Sequence, residues 1–294
     1  MIAAHPPDAN RIMRIGLIIY GSLDTLSGGY LYDRQLVAAL RGCGDEVLIF
    51  SLPWRSYSRH LIDNFSQDLA RRTKAAGLDL LLQDELNHPS LAFQNQRLRQ
   101  ALGVPLISIV HHLRISEDHP PSIMPLYRQI EQNYVNSVDG FIFNSRTTQS
   151  TVERLLNRPR PGIVAFPAAD HIAPPAARTV EALVEQRADA AVPLRILAVG
   201  NVTPRKNIHT LLRALGRLPA DSWQLTVAGS LQVDPSYVAR LRALCEDIGI
   251  GAGVRFRGAM DTAALRQLYA AHHVMALPSY EGFGIVYLEA MSFG

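Results

Sequence analysis

The stretch Arg195-Ile196-Leu197-Ala198-Val199-Gly200-Asn201-Val202-Thr203-Pro204-Arg205-Lys206-Asn207 decides how this chain is read. A short apolar run stops at Gly200, a loop follows that carries Pro, Arg and Lys, and Ile208, Leu211, Leu212, Leu215 and Leu218 then recur at helical spacing. Strand, loop and helix in that order form the repeating unit of a parallel sheet covered by helices. In such sheets ligands bind beyond the carboxyl ends of the strands, so the loop 200–207 is where chemistry is sought.

The same alternation extends both ways. Downstream, residues 224–228, 254–256 and 274–277 read as strands. Between them, Val238, Leu241, Leu244 and Ile248 share one helical face, and Asp261 is placed to cap a helix over 265–269. Upstream, strands are predicted at 14–20, 46–50, 78–83, 105–110, 140–143 and 163–166. Tyr32, Leu36, Ala39 and Leu40 mark the first helix, which Gly42 to Gly44 stops. Between 168 and 193 the text turns to Ala, Pro and charge, although 180–187 has helical spacing. The expected organisation is therefore α/β, with two Rossmann-like doubly wound parallel-sheet domains at 1–170 and 194–294 and a linker at 171–193. Four strands make a thin second domain, and the rhythm calls for another strand after Gly294, so that domain is expected to be truncated.

Length supports two domains: 294 residues exceed one ordinary α/β unit. With 48% hydrophobic and 19% charged residues the chain can build cores and is not disordered. No apolar run reaches the roughly 18 residues of a membrane span, and the first eleven residues read as a loose tail without a secretory signal. Cys43 and Cys245 have no neighbours at ligand spacing, so neither a disulfide framework nor a zinc site is expected, and a reducing cytoplasmic setting fits. The net charge of +3 is not gathered into Lys/Arg runs, which argues against nucleic acid. Arg71, Arg72 and Lys74, on a candidate helix over 61–76, are the residues a membrane surface would meet, with solvated surface as the other reading.

Four places carry polar chemistry. After the first strand, Gly28-Gly29 open a helix, where they either let an anion approach the amides or simply turn the chain. His111-His112 follow a buried strand, and there a His serves as a hydrogen-bond donor to a ligand or as a structural group. The loop from Gly200 to Asn207 offers a guanidinium fork, a point charge and helix amides, a combination suited to a diphosphate, and it is not a Walker loop. Finally, Pro278-Ser279-Tyr280-Glu281-Gly282-Phe283-Gly284 precede a helix with Glu289. If Glu281 and Glu289 bracket two helical turns, their backbones lie about 12 Å apart, too far for a glycosidase carboxylate pair.

Glu281-Gly282-Phe283-Gly284-Ile285-Val286-Tyr287-Leu288-Glu289 resembles the E-x7-E element of retaining GT-B glycosyltransferases of family 4. Gly200 with Pro204-Arg205-Lys206-Asn207, Gly28-Gly29, His111 and Phe143-Asn144-Ser145 are similar to the family's other motifs, so the resemblance covers nearly the whole chain. It implies a nucleotide-sugar donor as substrate, no cofactor and no metal. Arg205 and Lys206 would bind the diphosphate and stabilise the leaving group, and Glu289 would hold the ribose. Glu281 would contact the donor sugar with the Gly282, Phe283 and Gly284 segment, while His111 would face the reacting sugar. Gly29 would approach the phosphate or acceptor. The acceptor, whether a glycan, a lipid-linked molecule or a small molecule, is not specified, and peripheral membrane contact accords with a lipid-linked one. Absence of Asp-x-Asp leaves the cations to do a metal's work. Two rivals remain: a nucleotide-sugar-binding scaffold without turnover, and a dinucleotide oxidoreductase, against which the missing GxGxxG counts.

Overall fold

The computed structural model describes residues 11–168, 171–188 and 193–294. The predicted tail lies outside them except for Arg11. The chain divides into two compact units, Met1–Pro167 and Ala168–Gly294.

The first unit runs β1 (Arg14–Tyr20), α1 (Gly28–Gly42), β2 (Glu46–Leu52), α2 (Tyr57–Asp63), α3 (Asp68–Ala75), β3 (Leu80–Asp84), α4 (His88–Leu91), α5 (Asn95–Leu102), β4 (Leu106–Val110), α6 (Met124–Ser137), β5 (Gly140–Phe143), α7 (Arg146–Glu153) and β6 (Gly162–Val164). Its six strands form a parallel sheet in the order β2-β1-β3-β4-β5-β6. Both faces are covered. Ile18 and Tyr20 of β1 join one core cluster, and Ile15, Leu17 and Ile19 join another with Tyr30, Tyr32 and Val37 of α1. Alternate side chains of a strand point to opposite faces, so β1, apolar from Ile15 to Tyr20, feeds two cores at once. The order reverses between β1 and β3, which makes that the topological switch point and opens a crevice at their carboxyl ends.

The second unit runs α8 (Ala177–Arg187), β7 (Leu194–Val199), α9 (Ile208–Leu215), β8 (Trp223–Ala228), α10 (Pro235–Asp247), β9 (Val254–Gly258), α11 (Thr262–Ala271), β10 (Val274–Met275) and α12 (Ile285–Met291). Its parallel order is β10-β7-β8-β9, so its switch point lies between β7 and β10. The loops 200–207 and 276–284 leave these two strands and flank it. Asp261 caps α11 by accepting from Ala264 N at 2.8 Å. Within 171–193, Ile172 is buried in the second unit's core, and Arg187 donates to the carbonyls of Tyr269, Ala270, Phe293 and Gly294. These contacts attach the stretch read as a linker to the second unit.

Several sequence expectations are corrected. The helix over 61–76 is two helices, α2 and α3, broken at the buried Asn64. The Asn64 side chain donates to Leu61 O and Pro89 O and accepts from Phe93 N and Gln94 N, fixing a loop where a helix would have continued. Arg71 and Arg72 both pair with Asp68, which offsets the basic face. Leu218 lies beyond the end of α9 and is 51% exposed, and Phe166 lies beyond β6. Of the residues that mark α1 by their helical spacing, Ala39 is exposed, whereas Asp33 of the same helix is buried. Among the described residues no helix is long and apolar enough to cross a membrane.

Candidate active site

After β7 the chain turns at Gly200, and a 3-10 turn over Pro204–Lys206 delivers the two cations. Asn207 ends it at φ 54, the only positive-φ residue other than glycine among the described residues, and starts α9. Gly200 is required by its neighbour: a Cβ there would lie 2.9 Å from Cε of Lys206, whose side chain folds over it. Lys206 is only 8% exposed, and its Nζ donates to Oε1 of Glu281 at 2.5 Å. Arg205 Nη1 donates to Oε2 of Glu281 at 3.2 Å, and Ser279 Oγ also donates to Oε1. Two cations facing one carboxylate leave a surplus positive charge at the switch point. Burial holds the Lys206 ammonium below its ordinary pKa against the pull of Glu281, with Arg205 adding to the depression. Burial works the other way on Glu281, but Lys206 and Arg205 outweigh it and keep its carboxyl below the usual range.

Glu281 is not on a helix. Gly284, at φ +85, opens α12 only at Ile285, so the rise per helical residue does not apply between Glu281 and Glu289. The two glutamates have separate surroundings. Glu289 is 4% exposed, its Oε2 accepting from Tyr269 Oη at 2.5 Å and its Oε1 lying 2.9 Å from His171 Nε2. Burial, then the Glu289 charge, push the Tyr269 phenol far above its ordinary pKa. Gly282 and Phe283 are half-buried in the loop between Glu281 and α12.

In the first unit Ser27 caps α1 by accepting from Tyr30 N, so Gly28 and Gly29 are its first two residues. A Cβ on Gly29 would lie 3.2 Å from Cδ2 of His111, so the second glycine leaves room for that ring. His111 follows β4, and its Nε2 donates to Oδ1 of Asp33 at 3.1 Å. Its backbone N donates to Glu85 Oε2 at 2.7 Å. Burial alone would lower the His111 pKa, yet Asp33 foremost, with Asp84 and Glu85, raises it to about 10. Burial also raises Glu85 to about 7 and holds Asp84 well above the carboxylate range, where Asp33 and Glu85 add repulsion.

Gly200, Arg205, Lys206 and Glu281 thus come together in the second unit, as Gly29 and His111 do in the first. Sequence reading missed Asp33, Asp84, Glu85, Tyr269 and His171. A carboxylate on the apolar face of α1, four before Val37, was a signal for Asp33, and Asp-Glu directly after a buried strand was one for Asp84 and Glu85. His171 carried none.

Residues 183–294 match the family of Glycosyl transferases group 1. The chain is 30% identical over 207 residues to a D-inositol 3-phosphate glycosyltransferase of Mycobacteroides abscessus, an alignment covering 67% of this chain and 45% of that protein. It is 39% identical over 101 residues to an uncharacterized glycosyltransferase of Methanocaldococcus jannaschii, covering 34% of this chain and 25% of that protein. The chain spans a quarter to a half of the length of these relatives. Among solved structures, sucrose-phosphate synthase from Thermosynechococcus elongatus superposes with a TM-score of 0.78 at 22% identity, over 96% of this chain and 79% of that one. Anabaena HepE in complex with UDP and glucose superposes with a TM-score of 0.67 at 20% identity, over 96% and 78%. At these identities the likeness establishes the fold. Taken with the two parallel sheets, the matches show that the chain belongs to the group 1 glycosyltransferases, family 4, of the GT-B fold.

Proposed function

We propose that this chain transfers a glycosyl group from a nucleotide sugar to an acceptor hydroxyl, with retention and without a metal at the diphosphate. The observation that carries the reading is the convergence of Arg205 and Lys206 on Glu281 at the switch point of the second sheet. A diphosphate arriving there meets two charge-assisted donors, and it displaces a carboxylate that is free to turn to the sugar hydroxyls. In the transfer the bond between the anomeric carbon and the diphosphate oxygen breaks, with the electron pair staying on the phosphate. The acceptor oxygen bonds to that carbon, and its proton passes to the departing phosphate oxygen. Lys206 and Arg205 are already in place where that negative charge grows, so no reorganisation is required at the moment of reaction. Glu289, with Tyr269 and His171 holding its two oxygens, is assigned to the ribose. Family membership supports the reaction class, and a fold neighbour solved with UDP-glucose, Anabaena HepE, supports the donor class. Relatives are named for different acceptors, a D-inositol 3-phosphate glycosyltransferase and an O-antigen chain mannosyltransferase among them, so the acceptor is proposed only as a hydroxyl.

Calorimetry with a panel of nucleoside diphosphates and their sugar conjugates tests this. At least one diphosphate is expected to bind in EDTA, and binding that appears only with added Mg²⁺ or Mn²⁺ would overturn the assignment of the two cations. Two variants divide the donor between the glutamates. Glu289→Gln weakens both the diphosphate and the nucleotide sugar. Glu281→Gln leaves diphosphate affinity unchanged or raises it, because it frees Lys206 and Arg205, while it lowers turnover. A reversed pattern means that the donor lies the other way along the loop.

A further inference from the structure

At the switch point of the first sheet, three carboxylates and one imidazole are packed together out of contact with water. Asp33 and Asp84 are 0% exposed, Glu85 2% and His111 9%. They come from three elements: Asp33 from α1, Asp84 and Glu85 from the end of β3, and His111 from the end of β4. Asp84 Oδ1 accepts from Leu86 N at 2.9 Å, Glu85 Oε2 accepts from His111 N, and Asp33 Oδ1 accepts from His111 Nε2. Asp33 Oδ2 and Asp84 Oδ2 are buried and have no hydrogen-bond partner among the described residues. Tyr30 and Tyr32 lie nearby, but their hydroxyls are committed to Tyr20 O and Ala165 O.

Such an arrangement is costly as it stands. Buried ionised groups need a counter-charge and satisfied lone pairs, and one imidazolium balances only one of the three carboxylates, which leaves the others to be neutralised by protons or by a bound cation. Two orphaned carboxylate oxygens in the same cluster indicate a missing electrophile. One ligand atom each from Asp33, Asp84 and His111 already lies within 4.8 Å of the others. Metal–oxygen and metal–nitrogen bonds of about 2.0–2.2 Å set ligand atoms about 3–3.5 Å apart, so small side-chain rotations close the set. We propose that Asp33, Asp84 and His111 form a site for one divalent transition-metal ion in the first unit, Zn²⁺ or Mn²⁺ by the chemistry of its donors. One imidazole with two carboxylates suits those ions, whereas Mg²⁺ and Ca²⁺ favour oxygen alone. Glu85 serves from outside the ligand set by holding the His111 backbone. With Nε2 on the ion, His111 keeps its proton on Nδ1, and the ring is fixed against Gly29 by the same bond.

The inference stands apart from donor binding in the second unit, and its test separates the two. Protein stripped of metal is dialysed against micromolar ZnCl₂ or MnCl₂ and its metal content is measured. One ion per chain is expected, and Asp33→Asn and Asp84→Asn should each lower the affinity about 10- to 100-fold. The Mn²⁺ form of the unaltered chain supplies a readout that needs no variant: paramagnetic broadening of amide signals should centre on residues 33, 84 and 111. Lys206→Ala should load the ion like the parent chain, even as it loses diphosphate. A parent chain that binds neither ion, an ion retained equally by both Asp variants, or broadening centred elsewhere would each overturn the site. In the first of these cases the carboxylates are neutralised by protons.

Discussion

Lys206→Ala is expected to bind nucleoside diphosphates about 10- to 100-fold more weakly than the parent chain, the equivalent of losing one charge-assisted hydrogen bond of about 1.5–3 kcal/mol. Lys206 is the more costly of the two cations to remove. It is nearly buried and already faces Glu281, whereas the Arg205 side chain is 36% exposed and more screened. Without Lys206, Arg205 alone opposes the Glu281 carboxylate, so the incoming diphosphate meets no surplus of positive charge. Arg205→Ala should therefore lose less. The parent nucleoside, which has no phosphate, serves as the control, and its binding should hardly change. Equal losses for nucleoside and diphosphate in calorimetry would mean that the substitution had disturbed the fold, or that the diphosphate sits elsewhere.

Gly229→Ala is expected to destabilise the protein by about 3 kcal/mol or more, combining left-handed backbone strain with overpacking of about 1–3 kcal/mol each. Gly229 follows β8 at φ +145, and a Cβ there would lie 2.0 Å from Gly200 O and 2.4 Å from its carbon. The obstacle is backbone, and it is held on every side. Gly200 N donates to Ala228 O, Gly229 N to Gly258 O and Val202 N to Ser230 O. Relief of the overlap requires that one of these bonds break, which displaces the loop carrying Arg205 and Lys206. Urea unfolding should show a lower midpoint with an unchanged slope, and diphosphate affinity should fall with it. A loss below about 1 kcal/mol would show that the two loops are not locked together as described.

The sequence by itself was enough for the strands, the doubly wound class and the Arg205-Lys206 and Glu281 loops. These depend on short-range regularities: apolar runs of strand length, helical spacing between them, and charged or Gly-rich segments where a strand stops. Ile15 to Tyr20 could be read as a central strand because every residue is apolar, the mark of burial on both faces. What only the tertiary structure decided was which strand ends lie side by side. The order β10-β7-β8-β9 brings residues 205 and 206 against 281, and β2-β1-β3-β4-β5-β6 gathers Asp33, Asp84, Glu85 and His111. Neither juxtaposition has a local signal, because each pairs residues some 25 to 80 positions apart through sheet order, and sheet order is set by how whole layers bury their apolar faces. The partners of Glu289 and the break at Asn64 follow the same rule. Each is fixed by groups brought in from distant elements, His171 and Tyr269 in one case and Pro89, Phe93 and Gln94 in the other.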